Sequence, residues 1–191
     1  MKNRSRNLKI IAGTARGRTI EAPPGRTTRP ILAVLKERLF NILGQQFDDC
    51  TIWDLFAGSG SMGLEALSRG ARSCVFLEKD RQSFAVLRRN IDSLKMGDVA
   101  LATCTDVFSW VGDPQEERPD VIFCDPPYPL YESDPDAIRR LLETLAADHM
   151  GSDTCLVIRT PADHVWKDIR GLQLRDRREH GENALLFLGI R

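Results

Sequence analysis

The chain has 191 residues, 42% of them hydrophobic, with 27 Lys and Arg against 27 Asp and Glu and no net charge. That length suits one domain with a small appendage, and the composition suits a soluble globular core. No apolar run is long enough to span a membrane, and the stretch after the basic start Met1-Lys2-Asn3-Arg4 is too short for a signal peptide, so the expected compartment is the cytoplasm.

Neutrality conceals an asymmetry. Residues 1–30 carry eight basic residues (Lys2, Arg4, Arg6, Lys9, Arg16, Arg18, Arg26, Arg29) and one acid, Glu21; the remainder has 19 basic and 26 acidic residues. A basic arm on an acidic body points to a polyanion contacted at one end. Within the arm, 8–13 and 19–22 read as short strands joined by the basic link Thr14-Ala15-Arg16-Gly17-Arg18, a hairpin. Pro23-Pro24-Gly25 then breaks the chain. Ile31, Leu32, Leu35, Leu39, Ile42 and Leu43 recur at helical spacing before Gly44, a natural stop. The division is therefore 1–30, the basic arm and hairpin, and 31–191, one domain with its leading helix.

From residue 51 strands and helices alternate. Four successive apolar runs, 51–53, 73–77, 100–105 and 121–124, each finish in an acid: Asp54, Glu78, Asp106 and Asp125. Helices are expected at 61–69, 81–96, 107–111 and 135–148, with a fifth strand at 154–159 and a short helix at 163–168. Strands at 171–175 and 184–190, joined by a turn over 177–183, would form an antiparallel hairpin closing the sheet. The alternation predicts an α/β, doubly wound, Rossmann-like sheet, mostly parallel with an antiparallel C-terminal strand, plus the N-terminal hairpin and helix. In such a sheet ligands bind beyond the carboxyl ends of the strands, where the four acids fall.

Gly58-Ser59-Gly60-Ser61-Met62-Gly63 is a literal G-x-G-x-x-G, and Glu78 lies 20 residues past Gly58. The pair matches the dinucleotide fingerprint, so NAD must be weighed. A glycine turn and an acid for two ribose hydroxyls suit other nucleoside cofactors equally. Asp54, four residues before the first glycine, separates them. A carboxylate there repels a pyrophosphate but pairs with a cationic amine, such as the α-ammonium of S-adenosyl-L-methionine (SAM), which also carries a sulfonium and no phosphate. SAM is the favoured cofactor. Asp106 serves either as an acceptor for the adenine N6 amine or as a helix N-cap.

Asp125-Pro126-Pro127-Tyr128 follows the run Val121-Ile122-Phe123-Cys124. The prolines fix the turn stiffly at a strand tip. Exocyclic amines of bases are poor nucleophiles because their lone pair is delocalised into the ring. Two acceptors, Asp125 Oδ and the Pro126 carbonyl, can hold such a nitrogen toward sp³ geometry and aim its lone pair at a methyl group. Tyr128 would stack on a base taken out of its helix or loop.

At these residues the chain resembles the RsmD-type 16S rRNA (guanine-N2)-methyltransferases, within the class I SAM-dependent enzymes. Ile10-Ile11-Ala12-Gly13 with Arg16-Gly17-Arg18 is similar to the family's hairpin; Thr28-Arg29-Pro30 and Lys36-Glu37-Arg38-Leu39-Phe40-Asn41 to its first helix. Asp54 to Gly60 with Gly63-Leu64-Glu65-Ala66-Leu67-Ser68-Arg69-Gly70-Ala71 is a long and specific match. Glu78, Asp80-Arg81 and Asn90 resemble the ribose-binding segment and the helix after it. The resemblance implies SAM as methyl donor and guanine N2 of small-subunit rRNA as acceptor; the expected setting is an assembling subunit, and a small chain with one basic face is expected to act as a monomer. The implied sites are Asp125, Pro126, Pro127 and Tyr128 for catalysis; Asp54, Phe56, Ala57, Gly58, Gly60, Glu78, Asp106 and Val107 for the cofactor; and Lys9, Arg16, Arg18, Arg26 and Arg29 for RNA. Two places depart from the family: Ile31-Leu32-Ala33-Val34 replaces a polar stretch, and Arg159 stands where the fifth strand usually ends in Glu.

Two other functions compete. An adenine-N6 DNA methyltransferase keeps the chemistry but needs a target-recognition domain, for which this chain shows no room. A non-catalytic RNA-binding ribosome-assembly protein keeps the fold but leaves the tetrad without a purpose. The cysteines (Cys50, Cys74, Cys104, Cys124, Cys155) have no C-x-x-C pair and read as reduced core thiols, with no metal site. Trp53, Trp110 and Trp166 read as packing residues.

Overall fold

The computed structural model describes residues 8–23, 30–111 and 117–191. The N-terminal hairpin pairs β1 (Leu8–Lys9) with β2 (Thr19–Ile20), and α1 (Pro30–Leu43) follows. Then come β3 (Thr51–Leu55), α2 (Ser61–Ser68), β4 (Ser73–Leu77), α3 (Arg81–Leu94), β5 (Ala100–Thr103), α4 (Val107–Trp110) and β6 (Val121–Cys124). The chain ends with α5 (Tyr128–Ser133), α6 (Pro135–Thr144), a π-helical turn (Leu145–His149), β7 (Cys155–Pro161), β8 (Leu172–His180) and β9 (Asn183–Ile190).

Seven strands form one sheet in the order β5-β4-β3-β6-β7-β9-β8. The pairings from β5 to β7 are parallel, and β9 is antiparallel to both β7 and β8. The expected class therefore holds, with the last strand slotted inside its predecessor. Strand alternation sends successive side chains to opposite faces. Ile52, Phe123, Val157 and Phe187 pack with Leu39, Leu64 and Leu87 on one side. Trp53, Ile122, Ile158 and Leu186 pack with Ile138, Leu142 and Tyr131 on the other. Both faces of the central strands are covered, as parallel strands require. Trp53 and Trp110 meet edge to face at 4.8 Å, in their expected packing role.

The hairpin shares this core. Ile10, Ala15 and Ile20 are buried in the cluster that contains α1, α2 and α3. Glu65 on α2 accepts from the Ile11 and Ala12 amides at 2.8 and 2.9 Å. The same carboxylate, fully buried, meets Lys36 Nζ at 2.8 Å and Arg69 Nε at 2.9 Å. Burial pulls the Lys36 ammonium down from its usual value, against the pull of Glu65.

Several local expectations change. Segment 163–168 forms no helix; His164 and Trp166 turn their rings onto Tyr131 at 5.2 and 6.0 Å. A six-residue helix has little stability of its own, so tertiary contacts decide. Strand β8 runs through Arg177–His180, expected as part of the turn, and the connection narrows to Gly181-Glu182. β8 is an edge strand, where charged side chains are tolerated and discourage further pairing. Helix α5, starting at Tyr128, is unforeseen, and the helix expected at 135–148 divides into α6 and the π-helical turn. Cys104 lies just past β5 and is exposed, not a core thiol. Among the described residues no helix is long and apolar enough to cross a membrane.

Strand order reverses at β3: β4 and β5 extend the sheet one way, β6 and β7 the other. Register pairs Asp54 with Phe123 and Leu55 with Cys124. The glycine loop after β3 and the turn after β6 thus share one edge, at the position where open α/β sheets bind ligands.

Candidate active site

Side-chain acids hold the glycine loop in shape. Phe56, the first residue past β3, has φ of 62°, a left-handed conformation unusual for an aromatic residue. Its ring rests edge-on against Phe108 at 5.9 Å, and the Ala57 amide donates to the Leu77 carbonyl at 2.9 Å. Gly58 N donates to Glu78 Oε2 at 2.8 Å, and Gly63 N donates to Asp54 Oδ2 at 2.9 Å. Glu78 Oε1 also accepts from Asp80 N at 2.8 Å. Asn90, on α3, donates to the Ser59 carbonyl at 2.9 Å and exchanges bonds with the Glu21 backbone, joining loop to hairpin. Gly63 is required by close packing, since a Cβ there would run into the Phe76 ring and Cys74 Sγ.

These bonds test the two cofactor classes. A pyrophosphate needs free amides in the loop and at the helix N-terminus; here the Gly58 amide of the loop and the Gly63 amide in the first turn of α2 are already directed at carboxylates. The residues fit a cationic, phosphate-free nucleoside such as SAM better than a dinucleotide. Asp54 is 2% exposed. Burial pushes its carboxyl up to about 8, with further upward pressure from Asp125 and Glu78 and opposition from the Gly63 amide. A ligand cation near it would favour the ionised form.

Asp106 stands beyond the end of β5 and caps α4, its Oδ1 accepting from Phe108 N at 3.0 Å. Its other oxygen meets Lys79 Nζ at 3.3 Å. Val107 is buried in the core against β3 and β6.

The second half of the edge is built from side chains. The Asp125 amide donates to the Leu55 carbonyl at 3.3 Å, tying the tetrad to β3. Pro127 takes the N-cap position of α5, so Tyr128 opens that helix. Asp125 Oδ1 accepts from Arg159 Nε at 2.5 Å. The Arg159 guanidinium carbon lies 4.7 Å from the Tyr128 ring centroid, and its Nη1 donates to Asn183 Oδ1 at 3.0 Å. Tyr128 donates its hydroxyl to the same Asn183 oxygen. Tyr131 donates to the Arg159 carbonyl at 2.6 Å. Burial raises the Tyr128 phenol above its usual range, with Arg159 opposing.

The structure thus brings together Asp54, Phe56, Ala57, Gly58, Gly60, Glu78 and the tetrad along one sheet edge. Lys9, Arg16 and Arg18 are exposed on the hairpin, where Arg18 bonds the Ser93 carbonyl. Arg26 and Arg29 lie outside the described residues. Sequence reasoning missed Asn183, Tyr131, Lys36 and the bonding of Glu65. Their chain positions give no signal, because each acts across the fold. Arg159 stands out in the sequence as a departure and Asp125 as part of the tetrad, but nothing in the sequence pairs the two. Among the described residues no three His, Cys, Asp or Glu side chains converge as a metal site would need.

Comparison with known proteins gives a match over residues 8–189 to the family described as conserved hypothetical protein 95. The chain is 36% identical over 125 residues to the ribosomal RNA small subunit methyltransferase D of Escherichia coli K12, covering 65% of this chain and 62% of that one. It is 37% identical over 128 residues to the protein of the same name from Haemophilus influenzae Rd, covering 66% of each. These alignments span less than two thirds of the relatives' length. A hypothetical protein of Thermus thermophilus superposes with a TM-score of 0.79 at 30% identity, covering 96% of this chain and 99% of that one.

Proposed function

From the premise that this chain belongs to the conserved hypothetical protein 95 family, we propose that it is a SAM-dependent methyltransferase acting on the exocyclic N2 of a guanine in small-subunit (16S) rRNA. The observation that carries this is the register of β3 and β6. It sets an acceptor-bearing, aromatic-tipped turn beside a glycine loop held by two acids, Glu78 on the Gly58 amide and Asp54 on the Gly63 amide in the first turn of α2.

Glu78, Asp54 and the Gly58–Gly60 turn would hold the cofactor, with Phe56, Ala57, Asp106 and Val107 around them. Bound there, SAM supplies an electrophilic methyl group. Asp125 and the Pro126 carbonyl accept the amine hydrogens of the base and hold its nitrogen lone pair toward that methyl group. Because both acceptors sit on a proline-stiffened turn, little reorganisation is needed as the reaction proceeds. Tyr128 offers an aromatic face to a base withdrawn from its stack. Lys9, Arg16 and Arg18 give the RNA backbone a basic surface, and Arg26 and Arg29 add charge to the same stretch of sequence. We take residues 1–30 as the RNA-contacting arm and 31–191 as the catalytic domain, working as a monomer in the cytoplasm on an assembling subunit.

The test is tritium transfer from labelled SAM into small-subunit rRNA, free and in partly assembled particles, from cells lacking this protein. N2-methylguanosine after digestion and mass spectrometry is the expected product. SAM binding without transfer to either substrate would sink the proposal.

A further inference from the structure

Arg159, on β7, joins three parts of the acceptor half: the turn after β6, α5 and β9. It sits near the end of β7, opposite Leu185 of β9, and its side chain is 22% exposed. Its guanidinium reaches Asp125, Tyr128 and Asn183 at once, and Asn183 in turn takes the Tyr128 hydroxyl. A guanidinium is suited to this. It is planar, permanently charged, and donates in a fixed fork while stacking on a ring.

The consequence falls on Asp125. Its side chain is 41% exposed and, unheld, would sample several rotamers. With Oδ1 committed to Arg159, Oδ2 is the oxygen left to accept from a substrate amine. The guanidinium also covers one face of Tyr128, so a base stacking there takes the other face.

We propose that Arg159 is a positioning residue for methyl transfer, fixing the Asp125 carboxylate and the Tyr128 ring so that one oxygen and one ring face are presented to the acceptor base. The inference rests on the methyltransferase reading above. It assigns Arg159 an effect on turnover, through Asp125, and none on cofactor binding.

The test compares full-length wild type, Arg159→Ala, Arg159→Lys and Asn183→Ala, measuring kcat and KM for rRNA at saturating SAM, and Kd for SAM by calorimetry. Arg159→Ala is expected to lower kcat by about 10²-fold, the loss typical of a misplaced reacting group, with KM and Kd unchanged. Arg159→Lys should recover part of the loss, since an ammonium can bond Asp125 but cannot stack as a plane. Asn183→Ala should lose less than Arg159→Ala. A raised KM with intact kcat would overturn the proposal by showing that Arg159 serves acceptor binding and not the placement of the reacting amine. A raised kcat or lowered KM would overturn it by showing a latch that the base must displace. Unchanged kinetics would remove any role. If Arg159→Ala does not fold, as judged by melting and SAM binding, Arg159→Lys and Asn183→Ala are read by the same criteria. A wild type that binds SAM but transfers nothing overturns the methyltransferase reading itself; an active wild type with an unimpaired Arg159→Ala overturns only the positioning role.

Discussion

The two halves of the sheet edge are held by different means. In the cofactor half, the buried carboxylates of Asp54 and Glu78 accept from backbone amides of the loop they shape. In the acceptor half, Asp125 is held by a side chain, Arg159, anchored through another side chain, Asn183. The first arrangement is local and rigid, fixed by strand ends and a glycine loop. The second is assembled from β6, β7, β9 and α5, and is more exposed. A cofactor common to many enzymes can be met by a fixed cradle, whereas the acceptor site can vary by changing side chains alone.

The largest expected break between the halves is Asp125→Ala. It should lower methyl transfer by about 10²–10³-fold, the usual cost of removing one transition-state hydrogen-bonding group, while calorimetry shows SAM affinity unchanged. Lost SAM binding would mean that the halves are one site. The converse change is Glu78→Gln. An amide cannot accept from both Gly58 N and Asp80 N, because one of its two atoms is a donor. SAM binding should weaken by about 1.5–3 kcal/mol, the scale for hydrogen bonds to a charged group, and KM for rRNA should not move. An altered KM with intact SAM affinity would reverse the assignment of the two halves.

The same contrast explains what the sequence disclosed. Asp54, Gly58, Gly63 and Glu78 are legible because a glycine loop and two strand ends bring them together within one β-α-β stretch. The tetrad is legible because its four residues are consecutive. Asn183 is not: it reaches Tyr128 only because β9 inserts between β7 and β8, a topological fact with no local signature. Phe56 follows the same rule, since nothing in Asp-Leu-Phe-Ala announces a left-handed aromatic. The second half of β8 is expected as turn, yet the strand continues through it, and at a sheet edge its charged side chains are tolerated.

Asp54 offers a smaller effect, specific to the cofactor half. Its carboxyl is raised from 3.8 to about 8 by burial. The folded chain therefore keeps a proton that the unfolded chain has lost. Asp54's contribution to stability is full below about pH 4, falls as pH rises through about 8, and is level above that. Between pH 6 and pH 7 the decline should be up to about 1.4 kcal/mol, one pK unit's worth. Asp54→Asn, which keeps an acceptor for Gly63 N, should flatten this slope in urea titrations. If a ligand ammonium pairs with Asp54, SAM should protect wild type more at pH 8 than at pH 6. An unchanged slope in Asp54→Asn would show that the proton sits elsewhere.

The smallest effect sharpens the comparison most, because it concerns a segment that belongs to both halves. The hairpin is fastened to the cofactor half through Glu65 and Asn90, yet it carries the exposed Arg16 and Arg18 assigned to RNA. Deleting residues 1–18 would confuse the two roles, since it also removes Ile10 and Ala15 from the core. Arg16→Gln with Arg18→Gln removes charge and leaves the packing. If these side chains meet phosphates, rRNA affinity should fall a few-fold and the slope of log K against log salt should flatten by about 0.7–0.9 per charge lost. SAM affinity and kcat should stay as in wild type. A fall in SAM affinity would mean that the hairpin serves the glycine loop through Asn90, and an unaltered salt slope would take these arginines out of the RNA surface.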